Sequence, residues 1–280
     1  MRSKKMAIFG MVILIFYVLV ALFAPLLAPF DVSVAGTEPY LPPSSTHLLG
    51  TNDVGQDIFS ELLIGTRLSL MVGFTAAIIS SVIACIFGIL AGWLGGIYEH
   101  ALSAICAFFI TIPFFPLVIV LSALIKGGPL TTAIILGLLS WPETARILRA
   151  QTIHLKDHQY IQDIKAMGAK NLYILSRHVI RELFPMIIYR FILRFRAAIL
   201  AEAALSFLGL GSPVAKSWGN MLYYAQAKNA FLTDAWLWWL LPPGIALVIL
   251  VFALVMISYY FEELSNPLIS KSEGTRHAHT

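Results

Sequence analysis

Six stretches of this chain stay apolar for close to the 20 residues that a helix needs to cross roughly 30 Å of hydrocarbon. They run over 6–28, 69–96, 102–125, 130–147, 185–210 and 236–260. Lipid offers no water to backbone N–H and C=O groups, so each stretch must satisfy them internally as a helix. No alternating ten-residue pattern points to a barrel instead. The expected fold class is all-α, a polytopic membrane protein with six transmembrane helices. Composition agrees, with 59% hydrophobic and 12% charged residues. A soluble domain carries about 25% charged residues, so this chain lacks the polar surface of a soluble enzyme, a disordered scaffold or a nucleic-acid-binding domain. The first stretch follows Arg2, Lys4 and Lys5 like a secretion signal. It is longer than the 7–15 apolar residues of such a signal, and retention as a helix is expected.

Basic residues set the orientation. Ten of the 19 fall between Arg146 and Arg196, three precede the first stretch, and Lys271 and Arg276 lie in the tail. Arg67, Lys126, Lys216 and Lys228 are left for the other side. Positive loops stay inside, so 1–5, 148–184 and 261–280 are expected in the cytoplasm, and 29–66 and 211–235 outside. The pI near 9.1 then reports topology, and no nucleic-acid partner is needed. Gly88, Gly92 and Gly96 repeat every four residues, a spacing that lets helices approach closely. Cys85 and Cys106 sit in apolar runs and are expected to act as small hydrophobes.

In the cytoplasmic loop Ile161, Ile164 and Met167 recur at helical spacing, with Gln162, Asp163, Lys165 and Lys170 elsewhere around the helix. That pattern is amphipathic. Gly168 ends it, and a second helix over about 172–183 is expected to stop at Pro185. Such a helix can lie on lipid, cap the bundle or dock in a groove of a cytoplasmic partner. Outside, the long 31–66 connection carries Asn52, Asp53, Gln56 and Asp57, read as a turn into a short helix at 56–66. Trp218, Gly219 and Asn220 belong to a candidate re-entrant gate, and Trp236, Trp238 and Trp239 to an interface belt.

Ionisable residues within spans are functional candidates by default. Glu202, with Ser206 one turn on, and Arg190, Arg194 and Arg196 lie in the fifth stretch. Arg194 and Arg196 differ by about 200° around a helix, so both cannot face one lumen. One of them is expected to line the pathway and favour an anionic substrate; pairing with a neighbouring helix is the alternative. His277 and His279 are read as a polar tail. Neither a metal site nor a bound cofactor is expected, and no catalytic constellation is found.

Three motifs carry a resemblance. The loop Tyr160-Ile-Gln-Asp-Ile-Lys-Ala-Met-Gly168 resembles the EAA loop of ABC importer permeases, with Gln162-Asp163-Ile164 in the Glu-Ala-Ala positions, Gly168 on the family glycine and Phe184-Pro185 at its Leu-Pro end. His47-Leu-Leu-Gly-Thr-Asn-Asp-Val-Gly-Gln-Asp-Ile-Phe-Ser60 resembles the outer segment of the peptide/nickel branch. Ala201-Glu-Ala-Ala-Leu-Ser-Phe-Leu-Gly-Leu-Gly211 with Ser217-Trp-Gly-Asn-Met221 resembles the end of its fifth span, and Asn266-Pro267 sits where that branch often has Asp-Pro. The likeness is greatest to the second, C-type permease of dipeptide, oligopeptide and nickel systems. It implies a type I importer permease fold in a bacterial inner membrane. It also implies a second homologous permease, two cytoplasmic ATPases and an outer substrate-binding protein. Tyr160, Gln162, Asp163, Ala166, Gly168 and Ala169 would then couple to the ATPases, and Asn52, Asp53, Gln56 and Asp57 would meet the binding protein. Arg194, Arg196, Glu202, Ser206, Trp218 and Asn220 are the pathway candidates. The implied function is ATP-driven import of peptides or nickel chelates by alternating access. An export or resistance permease of the same branch and an ion-coupled secondary transporter are the alternatives.

Overall fold

The computed structural model describes residues 2–36, 38–125 and 127–265, so Asn266-Pro267 and the tail histidines lie outside the described residues. The described residues form helices and connections and no strand. The first is α1 (Arg2–Leu27), followed by α2 (Ile58–Leu94), α3 (Gly96–Thr111) and α4 (Phe114–Leu124). Next come α5 (Pro129–Lys156), α6 (Gln159–Ala166) and α7 (Asn171–Ile174), which runs through a π-helical turn into α8 (Ile180–Phe207). Last are α9 (Trp218–Ala227), α10 (Trp236–Trp239) and α11 (Leu241–Ser265). By length and apolarity Ser3–Leu27, Ile58–Leu94 and Trp236–Ser265 can each cross a membrane, and α3 and α4 are together apolar enough for a broken span or a re-entrant loop. Helices α5 and α8 have 28 residues each, about 42 Å at 1.5 Å per residue, but carry the internal charges analysed below.

The 37-residue α2 is the axis of the bundle. Residues from α2 and α8 enter all three buried apolar clusters. Its contact with α5 is set by glycine: a Cβ on Gly88 would lie 2.6 Å from the Ala145 carbonyl oxygen, and one on Gly92 2.7 Å from that of Arg149. From the other side a Cβ on Gly137 of α5 would meet Ile79 at 2.7 Å. Gly96 departs from this expected stripe. It has open space around it and a left-handed φ of 55°, and it turns the chain from α2 into α3. Lys156 donates to the Trp93 carbonyl at 2.8 Å, satisfying an end carbonyl of α2 with a cation at the negative end of its dipole.

Four expected boundaries move. The outer 56–66 helix is no separate element; it forms the first turns of α2, capped by Asp57, which accepts from the Ser60 N–H at 2.8 Å. The third span breaks at Ile112-Pro113, where α3 and α4 meet at 82°, because proline removes a donor and its ring clashes with the preceding turn. Conversely, Pro185 does not stop a helix, since it lies inside α8. The backbone reaches it through the π-helical turn Leu175–Val179, a geometry that absorbs an extra residue per turn. Trp239 is 1% exposed in the core, not part of an interface belt.

Helices α1 and α11 run antiparallel, tied by Tyr17, whose hydroxyl donates to the Ala246 carbonyl at 3.0 Å, and by Ser3, which donates to Glu263. The 28–57 connection folds over the opposite end. There Lys216 donates to Gln56 Oε1 at 2.7 Å and to Glu61 Oε1 at 2.5 Å, and Lys228 pairs with Asp53 at 3.0 Å. Glu61 is 3% exposed, so removing Lys216 strands a buried carboxylate.

Two predictions follow from this packing. Gly88→Val is expected to destabilise by about 1–3 kcal/mol, as overpacking does, whereas Gly244→Ala, with nothing within 4 Å, should be neutral or slightly stabilising. Thermal unfolding of the detergent-solubilised protein checks the pair. In the same assay Lys216→Met should cost about 3–5 kcal/mol, while Lys228→Met, exposed to solvent against Asp53, should leave the midpoint nearly unchanged. Equal losses would show that burial of Glu61 is not what matters.

Candidate functional site

The cytoplasmic loop forms a short helix pair with two unlike faces. Gln159–Ala166 is helical because Ile161 and Ile164 repeat at one turn, and Gly168, at φ 85°, reverses the chain after it. Ile161, Ile174 and Val179 are at most 1% exposed and join the apolar cluster built on α2, α3 and α5. The other face is open. Gln162, Asp163, Ala166 and Gly168 are exposed and Ala169 is half-buried. Met167, expected on the inner face, is 78% exposed, and Leu172 is 77% exposed beside it. Met167 follows the last residue of α6, so the helical phase that buries Ile161 and Ile164 has already ended there. Tyr160 caps the inner edge, its hydroxyl donating to Glu182 at 3.3 Å. Burial, and then the adjacent carboxylate, push its phenol above the usual tyrosine range.

On the other face of the bundle, the residues expected to meet a binding protein are mostly used up within the fold. Asn52, Gln56 and Asp57 are 3%, 8% and 3% exposed. Asn52 Oδ1 accepts from the Val54 and Gln56 N–H groups at 3.0 and 2.9 Å. Gln56 Nε2 donates to the Val32 carbonyl at 2.8 Å, and Asp57 Oδ1 lies 3.0 Å from His47 Nδ1. Their polar atoms hold the loop, leaving little to offer a partner. Asp53 is half-buried, and it holds the Lys228 ammonium above the usual lysine range by hydrogen bond and charge. A cavity of about 280 Å³ opens here among Asn52, Glu61, Lys216, Asn220 and Tyr224. Val54 and Lys228 on its wall are exposed, and elsewhere in the outer segments Val214, Phe231 and Leu232 are exposed apolar residues. Nothing in the periodicity of the sequence marked them.

The pathway candidates separate into two groups. Glu202, Ser206, Trp218 and Asn220 are all buried. Ser206 donates to Glu202 at 2.9 Å, Ser69 donates to its other oxygen at 3.4 Å, and the Trp218 N–H donates to Ser69 at 3.3 Å. Trp218 Nε1 reaches the Leu62 carbonyl at 3.2 Å, and Asn220 Nδ2 donates to the Ser212 carbonyl at 2.7 Å. Gly219 fits because a Cβ there would lie 2.7 Å from the α8 backbone at Ala203. This network joins α2, α8 and α9; it buries Glu202, Ser206 and Trp218, while Asn220 also lines the outer cavity.

The arginines behave otherwise. Arg194 donates to Glu143 at 2.5 Å and to Thr144 at 3.2 Å, and Arg190 lies 3.8 Å from the same carboxylate. Glu143 and Arg146 are exposed. Glu143, Arg146 and Arg194 line a cavity of about 460 Å³ together with Ile112, Pro113 and Ser140. Arg196 points elsewhere and makes no hydrogen bond or ion pair among the described residues. The sequence offered Glu143 little prominence: Arg146 stands one turn on at i+3, but the Arg194 that bonds it is 51 residues away.

Comparison with known proteins identifies the family. The family described as "Binding-protein-dependent transport system inner membrane component" matches residues 84–271, and "N-terminal TM domain of oligopeptide transport permease C" matches residues 1–43. The chain is 32% identical over 274 residues to the dipeptide transport system permease protein DppC of Bacillus subtilis, covering 97% of this chain and 84% of that one. It is 34% identical to the oligopeptide transport system permease protein OppC of the same organism, over 79% of this chain and 73% of that one. A putative peptide transport system permease protein of Brucella abortus is 34% identical over 98% of this chain and 91% of its own length. With its α-helical membrane bundle and EAA-like loop, this chain belongs to the binding-protein-dependent ABC transport permeases, on their C-type branch.

Proposed function

We propose that this chain is the C-type permease subunit of an ATP-driven peptide importer in a bacterial inner membrane. It works beside a homologous permease, with two cytoplasmic ATPases on the α6–α7 pair and a substrate-binding protein on the outer face. In this reading six crossings are made by α1, α2, bent α3–α4, α5, α8 and α11, with both termini in the cytoplasm. The peptide assignment rests on the relatives, which are named as peptide, dipeptide and oligopeptide transport permeases. The outer contact is assigned to the exposed apolar residues of the outer segments, Val54, Val214, Phe231 and Leu232, in place of the buried Asn52, Gln56 and Asp57.

The observation that carries the reading is the two-faced α6–α7 pair. Its inner face, Ile161, Ile174 and Val179, is packed into the cluster that includes Ala84, Ile89 and Trp93 of α2 and Leu148 of α5. Its outer face presents Ala166, Met167 and Leu172 to the cytoplasm. A partner that grips the outer face therefore pulls directly on the spanning helices. Closure of the ATPase pair on ATP would rock those helices between outward and inward access as rigid bodies. The chain supplies no hydrolytic group; its part is mechanical.

A photo-crosslinking residue placed at Ala166 is expected to capture an ATPase subunit in cells. Capture of phospholipid alone would overturn the assignment. Met167→Asp should lower both ATPase co-purification and peptide uptake on the order of tenfold, the equivalent of about 1.4 kcal/mol of docking energy. Membrane insertion should be unchanged, because Met167 contributes little to the fold.

A further inference from the structure

Glu143 lies 13 residues beyond the start of the apolar 130–147 stretch and Arg194 nine beyond the start of 185–210, so in the six-crossing reading both fall within spans. Charge there is costly unless it faces protein or water. Glu143 is 51% exposed on its side chain and Arg146 is exposed one turn on, so this face of α5 cannot lie against lipid. It must look onto a water-filled or protein-lined space, and the cavity of about 460 Å³ beside it supplies one.

Three features of that cavity share one sign. Arg146 and Arg194 line it with a single carboxylate, Glu143, and Arg190, off the cavity wall, lies 3.8 Å from the same carboxylate, three cations against one acid. Arg146 has no ion-pair or hydrogen-bond partner among the described residues. The break at Pro113 adds to this. It places the N-terminus of the 11-residue α4 on the cavity wall through Pro113 and Phe114, with no side chain capping it. Uncapped N–H groups and the positive end of a helix dipole attract anions. Broken backbone at membrane depth is tolerated where it lines a cavity, which is where this break lies.

We infer that Arg146, Arg194 and the N-terminus of α4 form a carboxylate-binding subsite on the translocation path, taking the carboxylate of a passing peptide, with Arg190 adding to the positive field through Glu143. The inference rests on the peptide-import reading for its cargo, though not for its electrostatics. Glu143 holds Arg194 in place when the subsite is empty and keeps the excess charge small enough for the anion to leave. Arg196, on another face of α8, takes no part.

The first measurement needs no cargo. In the assembled transporter, with Cys85 and Cys106 replaced by alanine, Ser140→Cys puts a thiol on the cavity wall. An anionic methanethiosulfonate should modify it on the order of tenfold faster than a cationic one, as a focused positive potential raises local anion concentration. Arg146→Gln or Arg194→Gln should bring that ratio towards one, and Glu143→Gln should raise it. A ratio near one in the parent, or one unmoved by these variants, overturns the subsite and leaves the import reading untouched. The second measurement is uptake by proteoliposomes of a tripeptide with a free C-terminal carboxylate and of its C-terminal amide. Arg194→Gln should slow the free acid on the order of tenfold and the amide less than twofold, with Arg194→Lys partly restoring the difference. Equal slowing of both cargoes makes the arginines structural and overturns the subsite. Uptake of neither cargo by the parent assembly brings down the peptide reading itself, and the carboxylate assignment with it.

Discussion

The structure depends on how closely α2 and α5 approach. Gly88 and Gly92 bring the α2 backbone against the Ala145 and Arg149 carbonyls, and in lipid such contact must come from van der Waals fit, because no hydrophobic force drives helices together there. Everything functional hangs on this pair. The beginning of α2 carries Asp57 and Glu61, which anchor the outer loop. Its other end, Trp93, receives Lys156 just before α6 starts. Glu143 projects from the same stretch of α5 that meets Gly88. Tight packing of this kind does not deform gradually, so a displacement of α6–α7 is passed along α2 and α5 as a shift of whole helices.

Helix identity was legible in the sequence because apolar length is a sufficient signal in lipid, and the EAA-like loop because Ile161, Ile164 and Gly168 carry both a period and a stop. Breaks were less legible. Proline at 113 and at 185 looks alike in sequence, yet one bends the chain by 82° and the other sits inside α8. The difference is supplied by context: the α8 backbone arrives through a π turn, while Pro113 lies on a cavity wall. The outer loop misled for a related reason. Asn52, Gln56 and Asp57 are residue types that serve partners and turns equally well, and only their burial shows that the turns have them.

The site residues were legible as a set but not in their roles. Polar residues in apolar spans had to be either locks or path, and the sequence could not sort them because sorting needs the partner across the interface. Glu202 finds Ser69 and Ser206. Trp218, an aromatic in a presumed gate, turns out to be a wholly buried anchor between α1 and α2, edge-on to Tyr17 at 5.7 Å and bonded to Leu62. Arg194 and Arg196 could be told apart in principle by their 200° separation, but which of them meets an acid depends on the rotation of α8 against α5.

Two carboxylates within the bundle show what separates a lock from a path. Glu202 is 4% exposed and bonded only to hydroxyls; it faces no cation, and the hydroxyls fix it between helices that are not separated by space. Glu143 is half exposed, faced by three arginines and set on a cavity. Were Glu143 there only to join α5 to α8, one arginine would be enough, and a dry apolar contact would serve as well or better, since paired buried charge seldom exceeds its desolvation cost. Surplus cation around an exposed acid has no such structural use. It does have one beside a route for solutes, where a charge must be received and then released, and where an acid already in place keeps the reception from becoming permanent.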